Sequence, residues 1–165
     1  MYPGQYALTN PDRPAFIMAG SGLTVSYAQF EARSNQLAHF LRSQDLQFQD
    51  HYSIFMENNE RYMESCAAGE RAGLYYTCIN SYLTGDELAY IVNNSESKVL
   101  ITSKSKIDVV VDALASCPNI QMVLVTDGGD VDLPKGMMDF AAAVEVCSTA
   151  PLAEEFLGTS MLYSS

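Results

Sequence analysis

Residues 52–79 read YSIFMENNERYMESCAAGERAGLYYTCI, and the order of patterns within them decides the fold class. YSIFM, 52–56, is a compact apolar run of the length of a buried strand. Glu57-Asn58-Asn59 breaks it and offers a cap for a helix from about Glu60 to Ala72. Gly73 ends that helix, where a residue free to take positive φ is wanted. LYYTCI, 74–79, is β-branched and aromatic, which predicts a second strand. Strand, helix and strand in that order predict two parallel strands joined by a helical crossover. The small residues of ERYMESCAAGERA predict a helix packed close on its sheet.

The same alternation extends outward. On the N-terminal side, PAFIMAG and LTVSY around Gly20-Ser21-Gly22 predict a hairpin over 14–27. Ser26 and Gln29 make a capping box. Behind it Phe30, Leu37, Ala38 and Leu41 recur at helical spacing, with Glu31, Arg33, Asn35 and Arg42 outside, and the helix fades near Asp45. On the C-terminal side, Thr84 with Glu87 caps a helix whose inner face is Leu88, Ile91 and Val92. KVLIT, 98–102, is a strand, and a helix starting at Ser105 buries Val109, Val110, Ala113 and Leu114. QMVLVT, 121–126, is the next strand. MMDFAAAVEV, 137–146, reads as a short helix, 151–157 as a weak helical piece, and Met161-Leu162 as part of a last strand. The fold class is therefore α/β, a mostly parallel sheet flanked by helices.

Composition narrows the function. Nine Lys and Arg against twenty Asp and Glu leave a net charge of −11, which repels a nucleic-acid backbone and gives no attraction to an anionic membrane surface. No run approaches the ~20 apolar residues of a membrane span, and Met1-Tyr-Pro-Gly-Gln does not resemble a secretory signal, so a cytoplasmic protein is expected. Cys66, Cys78, Cys117 and Cys147 include no Cys-x-x-Cys pair, which predicts reduced thiols serving as small core residues. His39 and His51 stand alone and read as packing residues.

A complete catalytic set is not legible from residue types and spacing. Neither Gly-x-Gly-x-x-Gly nor a Walker A sequence occurs, and Gly128-Gly129 runs into Asp130 and Asp132, which oppose a phosphate. Asp86/Glu87 and Glu154/Glu155 are adjacent pairs whose side chains diverge on a helix, so they read as structural. Tyr75-Tyr76 sends its rings to opposite layers of a sheet.

Segment order adds a resemblance. LTVSYAQFEARSNQLAHFLRSQDLQFQD, then MENNERYMESCAAGERAGLYYTCINSYLTGDELAYIVNNSESKVLIT, then MLYSS, together resemble the N-terminal portion of the AMP-forming acyl-CoA synthetases. These belong to the adenylate-forming superfamily, with firefly luciferase and peptide-synthetase adenylation domains. The likeness is strongest over 22–102 and looks closer to the fatty-acyl-CoA ligase branch. His51 and Glu57 depart from residues common there.

The resemblance implies that Tyr163, Ser164 and Ser165 enter a glycine-rich loop around the phosphates of ATP, whose glycines and lysine do not occur here. It further implies that residues 1–165 are a truncated N-terminal subdomain of the large AMP-binding domain, inactive alone. The parent would use ATP, Mg2+ and coenzyme A to turn a fatty or other carboxylic acid into an acyl-adenylate and then an acyl-CoA. The alternatives are an enzyme adenylating an aryl or amino acid, and a non-catalytic α/β interaction domain. An uncovered last strand predicts self-association of the piece.

Overall fold

The alternation of side chains along parallel strands builds two apolar cores on a single sheet. Residues 3–163 are described by the computed structural model. In chain order they form α1 (Gly4–Thr9), β1 (Pro14–Ile17), β2 (Thr24–Ser26), α2 (Tyr27–Ser43), β3 (His51–Phe55), α3 (Glu60–Ala72) and β4 (Tyr75–Cys78). There follow α4 (Gly85–Asn94), β5 (Val99–Ser103), α5 (Ile107–Leu114), β6 (Met122–Thr126), β7 (Met137–Asp139), α6 (Phe140–Val144) and β8 (Thr159–Met161). β1 and β2 are an antiparallel hairpin. The other six strands form one sheet in the order β7-β6-β5-β3-β4-β8, and every pairing in it is parallel.

Because successive residues of a strand face opposite ways, Tyr52, Ile54, Val99, Ile101 and Leu124 pack under α2, α3 and α6. Phe55, Leu100, Val123 and Val125 pack under α4 and α5. The strands read as continuous apolar runs because both faces are covered. Asn59 accepts from the Arg61 amide at 3.0 Å to start α3, and Gly73, at φ +70°, ends it. The Ser26/Gln29 and Thr84/Glu87 caps are formed as read from sequence. Among the described residues no helix is long and apolar enough to cross a membrane.

Four expectations are corrected. Residues 137–139 are not helical: they pair with β6 as strand β7, and Asp139 then caps α6 by accepting from the Ala142 amide at 2.7 Å. Residues 151–157 contain no helix. Near its end the segment is tied to α3 instead, the Phe156 amide donating to the Arg71 carbonyl at 3.2 Å. The helix after β5 begins with a 3-10 turn over Lys104–Lys106, so its α-helical part starts two residues later than Ser105. Asn35 is fully buried rather than outside.

Asn35 is buried because α3 brings a charge to it. Arg71 is fully buried, and its guanidinium grips the Glu31 carboxylate with two bonds of 2.9 and 2.6 Å. Arg71 also donates to Asn35 Oδ1, and reaches Glu155 at 3.5 Å. Asn35 in turn donates to the Thr149 carbonyl at 2.9 Å. A second buried carboxylate, Glu64, is held by Arg33 at 3.0 Å and Arg61 at 3.1 Å. Burial pushes the Glu64 carboxyl upward against the pull of these two cations.

Removing one member of a buried, bidentate ion pair strands its partners. Arg71→Met is therefore expected to cost roughly 3 kcal/mol of unfolding free energy. Adding Glu31→Gln should return part of that loss. Urea unfolding of the two variants checks both values, and a near-silent Arg71→Met would contradict the clamp.

Candidate functional site

All carboxyl ends of a parallel sheet lie along one edge, and ligands of such sheets bind outside that edge. Two places on it are distinguishable here. One is the point where strand order reverses, between β3 and β5. The other is the β4–β8 end of the sheet.

The reversal point is filled by the protein's own groups. Glu57, just after β3, accepts from the Ser103 hydroxyl at 2.5 Å and the Ser105 hydroxyl at 2.9 Å. Lys104 beside it is paired with Asp130 at 2.9 Å. Burial alone would raise the Glu57 carboxyl. The hydroxyls of Ser103 and Ser105, its own backbone amide and the nearby Lys106 outweigh burial and hold it below the ordinary value of 4.5. A carboxylate at this position opposes a phosphate there.

The β4–β8 end is open. β8 lies parallel to β4, pairing Tyr75 with Thr159 and Thr77 with Met161. It is held in place by a close approach at Gly158. The Gly158 amide donates to the Glu70 carbonyl at 2.8 Å, and the Thr159 amide to the Leu74 carbonyl at 3.1 Å. A methyl group on Gly158 would collide with the carbonyl oxygens of Gly69 and Leu74 and lie 2.8 Å from the Leu74 nitrogen. Glycine is required there because backbone meets backbone.

β8 delivers Tyr163 to a cavity of about 560 Å3 between the end of β4 and α4. Its walls include Cys78, Ile79, Leu83, Tyr90 and Ile91, with Asp86 and Glu87 at the start of α4. The Tyr163 hydroxyl donates to Asn94 Oδ1 at 2.8 Å, and burial beside Tyr90 raises its proton affinity. The Tyr163–Asn94 contact spans 69 positions and leaves no trace in local sequence pattern.

Of the three residues expected to open a phosphate loop, Tyr163 is at this cavity, and Ser164 and Ser165 lie outside the described residues. The cavity lining contains no Lys or Arg and carries two carboxylates. This cavity therefore does not by itself fit the phosphates of ATP, and no cluster of three metal-ligating side chains occurs among the described residues. Asp86 and Glu87 act as first-turn residues of α4, as expected. Glu155 goes to Arg71. His39 is bonded to the Ala150 carbonyl at 2.9 Å, while His51 contacts the Ser95 carbonyl and packs edge-on against Tyr75. Gly128-Gly129 lies in the loop after β6.

Comparison with known proteins extends this picture. Residues 5–155 match the family of AMP-binding enzymes. A 3-oxocholest-4-en-26-oate–CoA ligase of Rhodococcus rhodochrous is 35% identical over 136 residues, covering 81% of this chain and 24% of that protein. A medium/long-chain-fatty-acid–CoA/3-oxocholest-4-en-26-oate–CoA ligase of Mycolicibacterium smegmatis is 31% identical over 140 residues, covering 84% and 25%. The chain thus spans about a quarter of the length of these relatives. An anthranilate CoA ligase solved with anthranoyl-AMP superposes with a TM-score of 0.85 at 16% identity, over 99% of this chain and 30% of that one. A fatty acyl CoA synthetase of Mycobacterium tuberculosis gives 0.85 at 20% identity, over 99% and 32%. At such identities the superpositions speak for the fold.

Two outcomes test the geometry of this edge. Gly158→Ala should push β8 off β4, so amide hydrogen exchange at 158–161 rises while β3 and β5 keep their protection. Unchanged exchange would contradict the backbone packing. Glu57, held low, contributes stability that is complete above its ordinary 4.5 and is lost as pH falls through the lowered value. Urea midpoints of Glu57→Gln should therefore fall less than those of the parent as pH drops below 4.5.

Proposed function

The chain belongs to the family of AMP-binding enzymes, and from that membership we propose that it is the N-terminal part of an acid–CoA ligase. The whole enzyme would activate a carboxylic acid with ATP and Mg2+ to an acyl-adenylate, release pyrophosphate, and pass the acyl group to coenzyme A. The observation that carries this reading is the family match across residues 5–155, most of the chain. The acid proposed is a fatty acid or a similarly apolar one. Support comes from the names of the Rhodococcus and Mycolicibacterium relatives, which specify a sterol-derived acid and medium to long fatty acids.

In this reading the described residues have a positional share in the reaction. The α3–β4 unit seats β8 through Gly158. β8 then carries the chain toward Tyr163, Ser164 and Ser165, the proposed entry to the phosphate-binding loop. Asn94 holds the Tyr163 hydroxyl and so sets the direction in which the chain leaves the sheet. Charge stabilisation of a transferring phosphoryl group needs donors and cations aimed at it. The acidic cavity at Tyr163 does not supply them, so residues 1–165 alone are proposed to be inactive. The exposed Leu162, 81% accessible beside the edge strand β8, supports self-association of this piece.

The test has two arms. Residues 1–165 with ATP, Mg2+ and a panel of acids should release no pyrophosphate above background. A polypeptide carrying this segment at the full length of its relatives should release pyrophosphate with fatty acids and form the CoA thioester. Turnover only with aryl or amino acids would replace the substrate class, and release by the short chain would refute its inactivity.

A further inference from the structure

Cys66 and Cys78 are twelve positions apart in sequence, yet α3 and β4 bring their sulfurs to 3.8 Å. Cys66 stands on α3, facing the sheet. Cys78 is the last residue of β4 and lines the open cavity beside Tyr163. Both are half-buried. A disulfide places its sulfurs about 2.05 Å apart, so closure asks for a further approach of under ~2 Å. The other two thiols have no such neighbour: Cys117 donates toward the Ala89 carbonyl at 4.0 Å and Cys147 toward the Ala143 carbonyl at 3.8 Å.

The surroundings give the two sulfurs different roles. Tyr52, Tyr62 and Tyr76 face them across the same pocket of side chains. Hydrogen bonds from the Cys66 thiol and the Tyr62 hydroxyl, working against burial, draw Cys78 below the ordinary thiol range. Cys66 is pushed the other way by that same contact and by burial. The thiolate is the nucleophile in thiol oxidation. The sulfur with the greater thiolate character is thus the one that reaches the cavity.

We propose that Cys66 and Cys78 form a reversible dithiol–disulfide pair, closed by a hydroperoxide that reaches Cys78 through the cavity and reopened by a small dithiol. The Cys78 thiolate attacks hydrogen peroxide, the O–O bond breaks, and Cys78 becomes a sulfenic acid while the departing hydroxide takes up the proton that the Cys78 thiol gave to solvent and leaves as water. Cys66 sulfur then attacks the Cys78 sulfur, the S–O bond breaks, and the second oxygen leaves as water with the proton of Cys66. Two thiols lose two electrons and two protons, and one hydrogen peroxide becomes two waters. The new bond ties the middle of α3 to the carboxyl end of β4 and removes the thiol from the cavity wall.

The test treats the folded full chain with graded hydrogen peroxide, then counts thiols under denaturing conditions and maps tryptic peptides. The count should fall from four to two, with peptides 62–71 and 72–98 joined, and dithiothreitol should restore it. The link should form about tenfold faster in the folded chain than in concentrated urea, because the fold holds the sulfurs together. Cys66→Ser and Cys78→Ser should each abolish it, while a Cys117→Ser/Cys147→Ser double variant should keep it. Links through Cys117 or Cys147, bonds between chains, or equal rates folded and unfolded would overturn the proposal.

Discussion

The buried guanidinium of Arg71 is the constraint on which the rest of the arrangement depends. A charge inside a protein is tolerated only when its donors are met. Meeting them here draws Glu31 and Asn35 from α2 and Glu155 from the segment before β8. Two parts of the chain far apart in sequence thereby converge on the end of α3. The segment from 149 onward is pinned by Asn35 and by the carbonyls of Glu70, Arg71 and Leu74, so β8 has one place to go, beside β4.

That placement leaves the β4–β8 end as the open part of the carboxyl edge. The reversal point of strand order, where such sheets often take a ligand, is closed by Glu57 and its two serine donors. The cavity that remains is apolar with an acidic rim. It holds Tyr163 against Asn94 and, with two carboxylates and no cation in its lining, is poorly suited to hold an anion.

Much of the fold was legible in the residues because local rules and tertiary demands agreed. The capping residues Ser26, Asn59 and Thr84, the terminator Gly73 and the apolar strands each coincide with an observed boundary to within a residue or two. The misreadings fall where a short segment takes its conformation from a partner. Met137–Asp139 looks helical beside FAAAV, but it completes the ladder on β6, and Asp139 was the overlooked cap that marks where the helix begins. Residues 151–157 look weakly helical, yet the last turn of α3 offers the Phe156 amide the Arg71 carbonyl. Asn35 sits on what reads as an outer stripe of α2 and is buried only because Arg71 arrives opposite it. The six-residue α1, with Tyr6 stacked on Tyr27 at 5.3 Å, is too short to announce itself by periodicity.

By itself the sequence determined the α/β class, the alternation of strands and helical crossovers from β3 to β6, and the resemblance to a family. These follow from periodicity, caps and segment order, all of which act within a few residues. The tertiary structure alone decided the sheet order, the parallel seating of β8 at Gly158, the Tyr163–Asn94 contact and the meeting of Cys66 with Cys78. Those depend on groups brought together across many turns of chain by burial and pairing, and neither the spacing of residues nor their type carries that information.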